Sequence, residues 1–217
     1  MFIQAYKKAL EVLVKKPIKL WGISLLSGLL ASLASGLFFG VPAVGLVVGY
    51  LISCGMAKIY IGGLKGEEPS AEQLFACFDK NFLRVAGGMA WSALWILIWG
   101  LIPIVGPIFA VIKAYSYRFV PYILATKPEV TATQAIKVSM EMTEGIKLQM
   151  FLADLCFGVG IYIVFAILGL FAMIPFLGVL FALVLIVSIL AVVAFSGVFM
   201  GLYGAYFFVQ KDEAVSE

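Results

Sequence analysis

Six apolar stretches, each close to or above the ~20 residues a helix needs to cross a bilayer, govern what this 217-residue chain can become. They run from about Ile18 to Phe39, Val44 to Gly63, Leu83 to Ile102, Ile108 to Ala125, Ile146 to Met173 and Val179 to Val209. Breakers separate them at Gly40-Val41-Pro42, at Pro103-Ile104-Val105-Gly106-Pro107 and near Pro175-Phe176-Leu177-Gly178. The chain is 64% hydrophobic and 12% charged, whereas a soluble domain carries roughly 45–50% apolar and about 25% charged residues. Its polar surface cannot cover it in water. The predicted fold is all-α: a polytopic membrane protein of six transmembrane helices, with short amphipathic helices lying in the interface. Nucleic-acid binding and soluble enzymology are excluded on the same ground.

The charges give the expected orientation. The turns after spans one, three and five contain no Lys, Arg, Asp or Glu. Lys7, Lys8, Lys15, Lys16 and Lys19 precede span one, and Lys58, Lys65, Lys80 and Arg84 surround the second connection. Lys113, Arg118, Lys127, Lys137 and Lys147 surround the fourth, and Lys211 lies in the tail. The positive-inside rule then puts both termini in the cytoplasm of a bacterial-type plasma membrane. Ser32-Leu33-Ala34 could mimic a signal-peptide cleavage site. The long basic region before it reads instead as an amphipathic helix, so the first span is expected to be retained.

Catalytic chemistry has few carriers. The chain has no histidine, which removes the commonest general base and transition-metal ligand. Cys54, Cys77 and Cys156 are far apart in sequence and read as small apolar fillers or lone lipidation sites. No phosphate-binding or nucleophile motif is present. Neither a cofactor nor an enzymatic activity is expected.

The charged connections carry helix signals. Ser70 is placed as an N-cap with Gln73 at the capping-box position, and Leu74, Phe75, Phe78 and Phe82 then share one face. Thr131 or Thr133 starts another helix, with Ile136, Met140 and Thr143 on one stripe and Lys137, Glu141 and Glu144 on another. Near the N-terminus Ala5, Ala9 and Val12 line up beside Lys7, Lys8, Glu11 and Lys15. The pattern suggests three units, 1–65, 66–130 and 131–210, each an amphipathic helix followed by a transmembrane hairpin. Gln4-Ala5-Tyr6-Lys7 parallels Gln134-Ala135-Ile136-Lys137.

Leu74-Phe75 and Phe78, Pro103, Tyr115-Ser116-Tyr117, Tyr122-Ile123-Leu124, Lys127-Pro128, Ala135-Ile136, Ser139, Met142, Gly145 and Lys147 form a loose signature. It resembles an uncharacterised bacterial membrane family, domain of unknown function 975, and more distantly the membrane domain of glycerophosphodiester phosphodiesterases. The family's Pro-Gly turn before span four is replaced here by Pro103 to Pro107. The resemblance implies a six-span fold and brings no activity, substrate or catalytic residue. The phosphodiesterases' catalytic domain has no counterpart in this sequence.

Polar groups inside spans are costly and mark candidate sites. Asp154, eight residues into span five, and Arg118, seven residues before the end of span four, lie at about the same depth, ~10–12 Å from one side. They are predicted to pair. Lys113 sits deeper, and Tyr115, Tyr117 and Tyr122 could supply hydroxyls. The sequence leaves two readings of this cluster open: a cationic cavity for an anionic headgroup or solute, and a structural ion pair with Lys113 snorkelling.

Ser24, Gly28, Ser32, Gly36 and Gly40 recur at i+4 on span one. With Gly45 and Gly49, and with Gly197, Gly201 and Ala205, they are expected to pack backbones closely. Trp91, Trp95 and Trp99 share a face read as lipid-facing or packed. Two functions stay open: binding or transport of an amphipathic or anionic molecule or lipid, and a non-catalytic scaffold. Membrane lipids, including anionic ones, are the expected partners, and a homo-oligomer or protein partner is left open.

Overall fold

The computed structural model describes residues 2–37, 42–79, 82–174 and 178–216. The described residues form only helices and turns. In chain order they are α1 (Phe2–Lys15), α2 (Pro17–Leu37), α3 (Pro42–Leu64), a short 3-10 helix (Ala71–Phe75), α4 (Phe82–Gly100), α5 (Gly106–Ser116), α6 (Val120–Thr126), α7 (Ala132–Met142), α8 (Lys147–Ala172) and α9 (Gly178–Ser216). Helices α2, α3, α4, α8 and α9, and the composite α5–α6, are long and apolar enough to cross a membrane. The protein is an all-α polytopic membrane protein. The expected turn residues Gly40, Val41, Pro175, Phe176 and Leu177, and Lys80, lie outside the described residues.

Local chemistry sets the boundaries. Pro17 opens α2, where its missing N–H costs no helical hydrogen bond. The expected capping box of Ser70 with Gln73 forms, and of the two threonines it is Thr131 that caps α7, in a second capping box with Gln134. Behind Ser70 only a five-residue 3-10 helix follows, because it meets α3 at once: a Cβ on Gly55 would stand 2.3 Å from the Leu74 carbonyl oxygen. Leu74 is buried, while Phe75, Phe78 and Phe82 stay exposed rather than sharing its face. At the end of α7, Gly145 takes a left-handed φ of 77° and releases the chain into α8.

The buried core lies at the cation-bearing end. Tyr203, Phe207, Phe119, Ile59, Leu74 and Met150 are among its fully buried side chains. Beyond it, Leu155 to Val193 of α8 and α9 present rows of exposed apolar side chains, as a lipid-facing hairpin should. Helices α1 and α7 are docked on protein. The Ala5–Ala9 face of α1 packs on α9, and Ala135, Ile136, Ser139 and Met142 of α7 are buried, with α4 and α6 as its main neighbours. A second apolar row on α1, comprising Ile3, Leu10 and Val14, is exposed.

Ion pairs tie one end of the bundle together. Lys16 and Lys19 at the start of α2 both reach Glu68 after α3, and Lys127 after α6 reaches Asp212 in α9. The two lysines hold the Glu68 carboxyl down at about 2 through hydrogen bonds and charge.

Candidate functional site

The site begins with a broken span. The fourth crossing is interrupted at Tyr117, Arg118 and Phe119. Pro121 explains the break: it has no N–H to give Tyr117, and its ring crowds that carbonyl. Bare backbone at this depth must find partners, and α7 supplies them. The Ser139 hydroxyl accepts the Phe119 N–H at 3.2 Å and donates to the Ser116 carbonyl at 2.8 Å. The Thr143 hydroxyl approaches the same carbonyl at 3.4 Å. Ser116, Phe119, Ser139 and Thr143 are all buried.

The break carries Arg118 to α8 and α9. Its guanidinium grips Asp154 with two hydrogen bonds, at 2.6 and 3.2 Å, so the expected ion pair forms. The Tyr115 hydroxyl donates to the same carboxylate at 2.7 Å, and Arg118 also donates to the Tyr203 hydroxyl at 3.3 Å. The guanidinium lies 5.7 Å from the Tyr115 ring centre and 5.2 Å from that of Tyr203. One residue before Asp154, the Ala153 carbonyl accepts the Tyr6 hydroxyl, locking α1 to α8. Both charged side chains are about four-fifths buried, at 18% and 20% exposure. Asp154 occupies the guanidinium fork with both oxygens, so Arg118 is a neutralised cation.

The other candidates divide. Tyr122 is adjacent: a Cβ on Gly204 would meet its hydroxyl at 2.9 Å and the Arg118 Nε at 3.7 Å. Its hydroxyl donates to the Gly201 carbonyl at 3.0 Å. Lys113 and Tyr117 are elsewhere. Lys113 lies over the Trp99 and Tyr117 rings, at 5.7 and 5.9 Å, on the side of α4. The expected grouping of Lys113 with Arg118 is therefore corrected. Within α5, Lys113 lies two residues before Tyr115, which turns it about 160° away from the face that reaches Asp154. Trp91 and Trp95 are exposed on the outer face, and Trp99 packs on Phe109.

The small-residue stripe also divides. Gly201 packs tightly, since a Cβ there would overlap the Tyr60 ring, and so does Gly45, where a Cβ would stand 2.8 Å from the Ser35 Cα. A Cβ on Gly28, Gly36 or Gly197 would meet nothing within 4 Å, and Ser32 is exposed, so the expected tight seam is absent at these positions. Gly40 lies outside the described residues. Ser24, Gly28, Gly197 and Gly201 instead border a cavity of about 400 Å³ between α2, α3, α6 and α9. Ser27, Gly49, Ser53, Tyr60 and Tyr122 complete its polar and small lining, with Ile52 and Met56 among its apolar walls. Lys, Arg, Asp and Glu do not line it. From Tyr60, four residues inside the end of α3, to Gly49, fifteen residues inside, it spans about 6–22 Å of depth.

Sequence reasoning missed Ser139, Thr143, Tyr203, Tyr6 and Gly204. A proline in mid-span was the available signal, because it obliges some neighbour to bring hydroxyls. No protein-family model, curated protein or solved structure matches the chain.

Proposed function

We propose that this protein is a non-catalytic plasma-membrane protein that binds or transports an amphipathic small molecule or lipid, with the cavity between α2, α3, α6 and α9 as its site. The carrying observation is that cavity: it reaches mid-membrane depth and combines serine and tyrosine hydroxyls with apolar walls. Binding sites of this kind are mostly apolar with a few placed polar groups. The uncharged lining favours a hydroxyl- or amide-bearing head over an anionic one. Anionic lipids would meet the exposed lysines around the bundle end instead. Membership in the family named above belongs to the same proposal.

Filling the cavity tests this reading. Gly28→Leu and Gly197→Leu add side chains into open space, so the fold should survive while the site shrinks. Native mass spectrometry of gently purified wild type should show a co-purifying amphiphile, and both variants should lose it. Gly158→Leu, also open but outside the cavity, should retain it. Retention of the amphiphile by both filled variants would remove the cavity from the function. The scaffold reading draws on the internally neutralised Arg118–Asp154 cluster. Wild type that carried another subunit and no small molecule would favour it.

The proposed orientation has cytoplasmic termini and interfacial helices on that side. It is supported by the ion pairs that gather the ends of α2, α3, α6 and α9 with their lysines. The exposed Ile3, Leu10 and Val14 offer α1 a face for the acyl boundary. A membrane-impermeant maleimide added to intact cells should label Ile104→Cys and spare Glu72→Cys, in a background where the native cysteines are replaced. Labelling of both, or of Glu72→Cys alone, would reverse the assignment.

A further inference from the structure

Among the described residues, ion pairs engage Lys8, Lys15, Lys16, Lys19, Arg118 and Lys127. Lys58, Lys65 and Arg84 enter none of them, and folding brings these three to the wall of one pocket. The pocket holds about 480 Å³ and lies between α3, α6, the start of α4 and the segment after the 3-10 helix. Asp79 also lines it, so three cations against one carboxylate leave it electropositive. Lys65 follows the last residue of α3, Lys58 lies six residues before that end, and Arg84 lies two residues after the start of α4. All three therefore stand within about 9 Å of the same end of the bundle. Arg84 is held without being neutralised. Its guanidinium donates to the Leu124 and Val130 carbonyls, each at 2.8 Å, and to the Lys127 carbonyl at 3.4 Å. These acceptors are uncharged, unlike the Asp154 carboxylate that grips Arg118. Lys58 and Lys65 are exposed, so their ammonium groups are free to turn to a ligand. Val85 and Leu124, both buried, give the pocket apolar walls, which strengthen the field of its cations.

We propose that this pocket binds a phosphate ester, with Lys58 and Lys65 clasping the phosphate and Arg84 supplying fixed positive charge. Lysine binds phosphate as a mobile point charge, and a guanidinium locked in place keeps its charge at the site. The volume falls in the range of about 300–1,000 Å³ usual for small-molecule sites, so the organic part of the ester is housed along with its phosphate. The phosphate belongs either to an anionic lipid headgroup or to a soluble ester, and the recognising chemistry is the same. Phe78 and Leu83, next in sequence to the lining residues Cys77 and Arg84, are exposed apolar side chains that suit the chains of a lipid. The inference does not rest on the uncharged cavity between α2, α3, α6 and α9, with which this pocket shares no lining residue.

Phosphatidic acid and sn-glycerol 3-phosphate are the probes, one for each source, and phosphatidylcholine with the same acyl chains is the control for the lipid. In native mass spectrometry of the full chain, wild type should hold phosphatidic acid roughly tenfold more tightly than phosphatidylcholine. Lys58→Gln with Lys65→Gln should weaken that binding roughly thirtyfold, and Lys58→Arg with Lys65→Arg should retain it. Lys7→Gln with Lys137→Gln removes the same charge from exposed lysines outside the pocket and should change binding by less than about threefold. Calorimetric titration of the same four proteins with sn-glycerol 3-phosphate tests the soluble source. Either probe following this pattern supports the pocket, and the probe that does so names the source. Failure of wild type to bind sn-glycerol 3-phosphate and to prefer phosphatidic acid over phosphatidylcholine would overturn the proposal, as would equal losses in the two glutamine pairs. Since wild type carries the first comparison, misfolding of a variant cannot rescue it.

Discussion

Asp154→Asn is expected to lower the stability of the detergent-solubilised protein by about 3 kcal/mol, the low end for removing one partner of a buried ion pair. For a chain of this size that corresponds to a fall of roughly 10 °C in unfolding temperature. The charge left behind is the reason. Arg118 is four-fifths buried, and its other described contacts are the Tyr203 hydroxyl and two aromatic rings. Asparagine keeps one acceptor but cannot neutralise the guanidinium, and Tyr115 loses its charged acceptor as well. Adding Arg118→Leu should recover part of the loss, because an apolar pair costs less than a lone cation. The interaction energy from the double-mutant cycle should fall in the range of about 0.5–3 kcal/mol seen for contacting residues. Purely additive losses would mean that the pair is not an energetic unit, despite its two hydrogen bonds.

That pair was legible in the sequence because depth is a one-dimensional quantity. Counting residues from the ends of two adjacent spans placed Arg118 and Asp154 level. The same count put Lys113 five residues deeper, and depth says nothing of direction around the axis, so it could not show that Lys113 turns toward Trp99 instead. The six spans were legible for a related reason. Bilayer thickness fixes a length, and uncharged turns alternate with charged connections. Hydropathy averaged along the chain was blind to the division of span four into α5 and α6, since Phe119, Val120, Ile123 and Leu124 around Pro121 keep the run apolar enough to cross. It also could not say whether a glycine stripe lies against a helix or against open space. Gly45 and Gly28 have the same composition and opposite surroundings.

Ser139→Ala should cost about 1–3 kcal/mol, the penalty for stranding buried polar groups, although the change removes a single oxygen. Alanine leaves the Phe119 N–H without an acceptor and the Ser116 carbonyl with only Thr143 at 3.4 Å. Amide exchange at Phe119 should speed up more than at Ile59, a fully buried residue of the neighbouring helix α3. Pro121→Ala supplies the discriminating partner. It restores the N–H whose absence breaks the span, so that α5 and α6 can satisfy their own backbone. The loss from Ser139→Ala should therefore shrink in the Pro121→Ala background. An undiminished loss would show that Ser139 acts by packing alone. A diminished one would show that α7 supports the broken span, and that the break which turns Arg118 toward Asp154 depends on a helix outside the candidate membrane spans.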